Sequence, residues 1–80
     1  MDRFDVIRVV IDIMEERGYI GNFAISYISG YISIALTINN HSISQCLTMD
    51  EIKMCNEPRY KIRLVINDMI NQIRGGQTND

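Results

Sequence analysis

Apolar residues recur every three or four positions through the first 17 residues, a spacing that predicts an amphipathic helix. Asp2 suits the N-cap of this helix, and Gly18 suits its C-terminal end. The main apolar stripe consists of Phe4, Ile7, Val10, Ile11 and Met14. Val6, Val9 and Ile13 widen it to about 220° of arc, more than one sheet can cover. These three residues are expected either to meet the C-terminal helix of the same chain or to form part of a dimer or partner interface.

The segment between Arg17 and Asp50 carries no formal charge, and its apolar positions alternate as they do in β-strands. The apolar residues stand at odd positions before Ser29-Gly30 and at even positions after it, a change of parity that indicates a turn. Both Ser29-Gly30 and Asn39-Asn40 suit two-residue hairpin turns. Loops of that length pair Ile25 with Ile34, Phe23 with Leu36, Leu36 with Ile43, Ile32 with Leu47, and Ile34 with Gln45. The segment is therefore predicted to form a three-stranded antiparallel meander.

A transmembrane helix is the alternative interpretation of the same segment. Residues 19–38 number about 20, the length that spans a bilayer, and their small polar residues fall on one helical face. However, the segment is rich in hydroxyl groups and isoleucine, and no basic cluster flanks either end. The sheet is favoured for these reasons, and the membrane span is kept as an alternative.

The second face of the predicted sheet is flat, small and uncharged. Its residues are Ala24, Ser26, Tyr31, Ser33, Ala35, Thr37, Ser42, Ser44 and Cys46. A sheet face in contact with water normally carries lysine, glutamate or arginine, which favour solubility and discourage pairing with other chains. Two interpretations remain open: a hydroxyl-rich face in water, or a face that another surface covers.

The C-terminal part predicts a second long helix. Thr48 to Glu51 matches a capping box and predicts a short helical turn through Met54. Pro58 suits the first position of the next helix, and Gly75-Gly76 is predicted to end it. Its apolar face consists of Ile62, Val65, Ile66, Met69, Ile70 and Ile73. The chain is thus predicted to be an α+β protein of order α-β-β-β-α, with both helices on one face of the sheet. Residues 1–76 form a single domain in this prediction, and residues 77–80 form a flexible tail.

Length, charge and composition narrow the classes of function. Eighty residues make one small domain, and a net charge of −2 gives no general attraction to nucleic acid. Cys46 and Cys55 are expected to be reduced thiols in a cytoplasmic protein, because two such cysteines form no disulfide framework. No nucleophile has a placeable histidine and acid, and no phosphate-binding loop or metal-ligand spacing is present. We therefore expect no enzyme activity, no cofactor and no metal.

Two groups of residues are candidate sites. Arg59, Lys61 and Arg63 place positive charge at the start of the last helix and form a candidate anion-binding site, or else a solvated face paired with the carboxylates of the first helix. The candidate interface residues are Val6, Val9, Ile13, Tyr31, Ser33, Ala35, Tyr60 and Leu64.

The leading hypothesis is a small non-enzymatic regulatory protein that binds and modulates or inhibits a protein partner, and that forms a homodimer. Its size and its isoleucine- and asparagine-rich composition are similar to those of small accessory proteins of phages and mobile elements. One alternative is a nucleic-acid-binding module that uses Arg59, Lys61, Arg63 and Arg74 together with Tyr60. The other alternative is a small single-span membrane protein.

Overall fold

Three helices and one antiparallel sheet make up the chain. The computed structural model describes the backbone of residues 1–78 and the side chains of residues 1–75. The elements, in chain order, are α1 (Arg3–Arg17), β1 (Phe23–Ile28), β2 (Tyr31–Ile38), β3 (His41–Thr48), α2 (Met49–Met54) and α3 (Pro58–Thr78). The predicted α-β-β-β-α order is therefore confirmed, and the short helical turn expected before the last helix is α2.

Side-chain and backbone caps fix both ends of α1. The Asp2 carboxylate accepts a hydrogen bond from the Asp5 N–H at 2.9 Å, and the Asp5 carboxylate accepts one from the Asp2 N–H at 3.1 Å. This reciprocal capping box satisfies two N–H groups that the first helical turn leaves unpaired. At the other end Gly18 adopts a left-handed conformation, with φ of 81°, and donates its N–H to the carbonyl of Glu15. Glycine adopts this conformation without a Cβ clash, and so the helix stops here.

The sheet is a meander in the order β1-β2-β3, and its register matches the predicted one throughout. Phe23 pairs with Leu36, Ile25 with Ile34, Ile32 with Leu47, Leu36 with Ile43, and Ile34 with Gln45. Both turns have positive φ at their two central residues, Ser29-Gly30 and Asn39-Asn40, as type I′ hairpins require. Residues 19–38 therefore contain a β-hairpin, and the transmembrane-helix interpretation of this segment is wrong. Among the described residues, no helix is both long and apolar enough to cross a membrane.

The core lies between the sheet and the two long helices. α1 packs against β1 and α3, whereas α3 packs against β2 and β3. The sheet contributes the alternate residues that face the helices, and these include Ile32, Ile34 and Leu36, which are fully buried. Fully buried residues of α3 are Ile62, Ile66, Met69 and Ile70. Both helices thus lie on one face of the sheet, as predicted.

The buried surface of α1 differs from the predicted main stripe. Val6, Val9 and Ile13 are buried in the core of the same chain, together with Val10 and Met14. They are not part of a surface that a partner could reach. Of the two predicted alternatives, the structure therefore has packing within the same chain and not a dimer or partner interface at these residues. The reason is the position of α3 beside α1, which turns the Val6, Val9 and Ile13 side of α1 inwards.

The C-terminal helix extends further than the sequence predicts. It continues through Thr78 and does not end at Gly75-Gly76. Glycine lowers helix stability by about 1 kcal/mol relative to alanine, but it keeps the N–H that proline lacks and so does not by itself break the hydrogen-bond ladder. The predicted flexible tail, residues 77–80, begins inside this helix, and its residues 79–80 lie outside the described residues.

Candidate interaction surfaces

The side of the sheet opposite the helices is one continuous uncharged surface, which we call the outer face. It is formed by Ala24, Ser26, Ile28, Tyr31, Ser33, Ala35, Thr37, Ser42, Ser44 and Cys46. Most of these side chains are exposed, and Ser33 and Ala35 are half-buried by their neighbours. The Thr37 and Ser42 hydroxyl oxygens lie 2.8 Å apart and share a hydrogen bond across the strands. Covering this face would therefore require no charged group to leave water.

The apolar part of the outer face is concentrated at one end. Ile28 and Tyr31 pair across the hairpin, and they are 71% and 56% exposed. Tyrosine is enriched at the centres of protein interfaces because it buries a large area and keeps a hydroxyl for hydrogen bonding. The candidate interface residues Tyr31, Ser33 and Ala35 thus lie side by side on β2, on the same surface.

A second apolar surface lies along α1, on the side away from α3. Phe4, Ile7 and Ile11 lie one helical turn apart there, and Phe4 is 65% exposed. The Arg3 guanidinium stacks over the rings of Phe4 and Tyr27, at 4.7 and 5.3 Å from their centroids, and so connects this surface to β1. The sequence placed Phe4 and Ile11 in the main core stripe. Their exposure was not predicted, because the apolar arc of α1 gives no sign of which part of it faces the core.

The basic residues at the start of α3 are not gathered into one site. Arg63 is engaged by the Glu16 carboxylate of α1, with the Nη2 and Oε2 atoms 3.1 Å apart. A second contact between these helices joins Arg17 to the side-chain carbonyl of Asn67. Arg59 is exposed and Lys61 half-buried, and neither forms an ion pair among the described side chains. Arg63 alone pairs with a carboxylate of the first helix, and anion binding by Arg59 and Lys61 stays a prediction.

The other candidate interface residues, Tyr60 and Leu64, lie one turn apart on the outward side of α3. Both are at least half exposed, and the core residues of α3 occupy its opposite side. Tyr60 also borders a shallow depression together with Met1, Pro58 and Arg59. Two neighbouring apolar side chains are ordinary on a protein surface, so this pair is a smaller feature than the outer face.

Residues with metal-binding or nucleophilic chemistry are dispersed. Cys46 lies exposed on the outer face, Cys55 is half-buried after α2, and both are free thiols. Within the part of the chain that the structure describes, no three histidine, cysteine, aspartate or glutamate side chains are grouped so that they could hold a metal ion.

Comparisons with protein-family models, with curated proteins and with solved structures give no match for this chain.

Proposed function

We propose that this chain is a small non-enzymatic regulatory protein that acts by binding a protein partner through the outer face of its sheet. The observation that carries the proposal is the absence of charge over all of that face, combined with the exposed Ile28 and Tyr31 at one end. Burying a charged group without a partner is unfavourable, so a face without charges is the easiest surface of this chain to cover. Modulation or inhibition of the partner, and an origin like that of phage accessory proteins, remain predictions from the sequence.

Homodimer formation is part of the proposal. Two copies could stack their outer faces at the spacing of about 10 Å that is usual between packed sheets. A small domain gains stability from such association, because a partner that binds only the folded state shifts the folding equilibrium.

The test is sedimentation velocity of the wild type and of Tyr31→Lys over a range of protein concentrations. We expect the wild type to sediment faster as its concentration rises and Tyr31→Lys to remain a monomer, since the substitution places a charge in the covered face. Asn71→Lys, which changes an exposed residue of α3 outside the candidate surfaces, is the matched control and should behave as the wild type does. A wild type that stays monomeric at millimolar concentration would contradict the homodimer.

The nucleic-acid alternative has weaker support. Of its candidate residues, Arg63 is paired with Glu16, and the outer face offers no cation that could meet a phosphate. Arg59, Lys61 and Arg74 would have to supply the contacts, and each phosphate contact adds to the salt dependence of binding. Fluorescence anisotropy with a labelled 20-nucleotide DNA and RNA at low salt is the direct measurement, and no binding is expected.

A further inference from the structure

The outer face carries large side chains at one end and a depression towards the other. Ile28 and Tyr31 are the large exposed side chains. The depression has a volume of about 320 Å³ and lies on the β1 and β2 side of the face, and we call it the socket. The residues that line it are Gly21, Asn22, Phe23, Ala24, Ala35 and Thr37. Ala24 and Ala35 pair across the strands, and their small side chains leave the space that larger ones would fill.

The strand register determines the distance between the large side chains and the socket. Cross-strand partners on the outer face form rows, of which three matter here. They are the large row (Ile28 and Tyr31), the middle row (Ser26, Ser33 and Cys46) and the alanine row (Ala24, Ala35 and Ser44). Successive rows lie about 6.8 Å apart, because each is two residues further along an antiparallel strand. The large row and the alanine row are therefore equally far from the middle row, on opposite sides of it.

This spacing makes the outer face complementary to itself. Consider two copies stacked through their outer faces, with a two-fold axis between the sheets, at right angles to the strands and over the middle row. Each strand then lies over the same strand of the second copy and runs in the opposite direction. Ile28 lies over Ala24 of the second copy. Tyr31 lies over Ala35 of the second copy, and both contacts occur twice because a two-fold interface is reciprocal.

The other two-fold arrangement of stacked sheets fits less well. An axis parallel to the strands and over β2 would place β1 over β3 of the second copy, and Tyr31 over its own symmetry mate. Large side chains would then meet at one end of the interface, and the socket would face small side chains and stay unfilled. Unfilled space forfeits dispersion contacts. The shape of the face therefore favours the axis at right angles to the strands.

We infer that the socket binds the Ile28 and Tyr31 side chains of a second copy of this chain, in a dimer whose two-fold axis crosses the middle row. A second copy is the occupant because it carries large side chains and a socket at matching distances from that axis. The inference rests on the proposed function and deepens it, since it specifies which residues of the outer face meet in the homodimer.

The polar groups at this contact have partners available. The Thr37 and Ser42 hydroxyls share one hydrogen bond, so their oxygens can still bond a further group. They lie one row beyond Ala35, about 6.8 Å along the strands, which is within the length of a tyrosine side chain. The Tyr31 hydroxyl of the second copy can therefore bond there. The face carries no charged side chain, so the contact removes no charge from water.

The area of the contact is sufficient for a weak dimer. Overlap of the three rows would cover on the order of 500 Å² on each copy, much of it from Ile28 and Tyr31. The total of roughly 1,000 Å² is about the minimum for a specific interface. We therefore expect the dimer to be populated at high protein concentration.

The first experiment exchanges large and small side chains between the rows. Ala24→Leu fills the socket, so the dissociation constant of the dimer should rise at least about tenfold, although the variant adds apolar surface to the face. Ala24→Leu combined with Ile28→Ala exchanges the two sizes and should restore the wild-type constant to within about threefold. Sedimentation equilibrium measures each constant.

Ser44→Leu is the matched control for this series. It adds the same side chain to the same row, but on β3 and outside the socket, and it should not weaken association. Stronger association of Ala24→Leu, or a double variant that associates no better than Ala24→Leu, would overturn the inference.

The second experiment locates the two-fold axis by cross-linking single thiols with a bis-methanethiosulfonate reagent that has a two-carbon spacer. In a Cys55→Ser chain, the thiols of Cys46 in the two copies face each other across the axis, and cross-linked dimer should form readily. The matched control carries Ser44→Cys, Cys46→Ser and Cys55→Ser, with its thiol one row away on the same strand. Its two thiols would lie about 14 Å apart along the strands, so cross-linking should be several-fold slower.

A chain with Ala35→Cys, Cys46→Ser and Cys55→Ser tests the other axis, which would place its two thiols together. Efficient cross-linking of this chain, with none at Cys46, would contradict the inference and leave the homodimer of the proposed function intact. A wild type that stays monomeric at millimolar concentration would contradict both.

Discussion

Single residues carry much of the specificity of this core, and Ile34 is the clearest case. It is fully buried at the centre of β2, and it pairs with Ile25 on one side and Gln45 on the other. We expect Ile34→Glu to unfold the protein, with a loss of about 4 kcal/mol or more, because a carboxylate there has no partner and no water. Thermal unfolding followed by circular dichroism is the measurement. Ser44→Glu, on the exposed outer face, is the control and should fold; an Ile34→Glu protein with normal thermal stability would refute the described core.

Val9 and Ile11 distinguish the core side of α1 from its exposed side. Val9 is 2% exposed and packs in the core, whereas Ile11 lies on the exposed flank. Val9→Ala should lower the free energy of unfolding by about 2 kcal/mol, through lost burial and an unfilled cavity. Ile11→Ala should lower it by less than about 1 kcal/mol, although it removes more atoms. Urea denaturation of both variants checks this, and the reverse order would mean that α1 is rotated from its described orientation.

At the scale of elements, the two hairpin turns determine how the strands of the sheet pair. Gly30 has φ of 83°, a left-handed conformation that glycine adopts without strain, and no atom beyond Gly30 and its two chain neighbours lies within 4 Å of the place where a Cβ would be. Gly30→Ala should therefore reduce stability by about 1–2 kcal/mol through backbone strain alone, without a steric clash. Asn40→Gly, in the other turn at φ of 69°, should be neutral or slightly stabilising. Chemical denaturation of the pair measures the difference, and equal losses in both variants would argue against type I′ turns.

The ion pair between the two long helices should contribute little. Arg63 and Glu16 are 43% and 57% exposed, so water and salt screen their attraction. A double-mutant cycle with Arg63→Gln and Glu16→Gln should give a coupling energy below about 1 kcal/mol that decreases further in 1 M salt. A coupling of several kcal/mol would show that the two helices depend on this contact for their packing.

The sequence determines the sheet far better than it determines the orientation of α1. The parity change at Ser29-Gly30 and the two-residue loops leave one register, and a shift by one residue would turn Ile32, Ile34 and Leu36 away from the helices. For α1, by contrast, apolar residues cover so much of the helix that several rotations would bury a similar area. The position of α3 decides which rotation of α1 about its axis occurs. The packing of two helices that are distant in sequence cannot be read from the periodicity of one of them.

The same contrast between local sequence pattern and long-range packing decides which candidate surfaces could be predicted. The outer face was predicted except for Ile28, because uncharged residues at alternate positions identify it once the register is known; Ile28 follows from its pairing with Tyr31. The exposed apolar surface formed by Phe4, Ile7 and Ile11 was not, because it depends on which side of α1 faces α3, and that is a property of the assembled layers.

At the scale of the whole molecule, the exposed thiol of Cys46 offers a direct probe of the outer face. Cys46 lies on β3 within the surface that the proposed homodimer would cover. In a Cys55→Ser background, we expect its labelling by a maleimide reagent to slow several-fold as the protein concentration rises from the micromolar to the millimolar range. A chain with Met54→Cys, Cys46→Ser and Cys55→Ser carries its thiol at an exposed position on α2 and is the matched control, whose rate should stay constant. If Cys46 labels at the same rate at every concentration, the outer face remains in contact with water, and its partner must be a different protein.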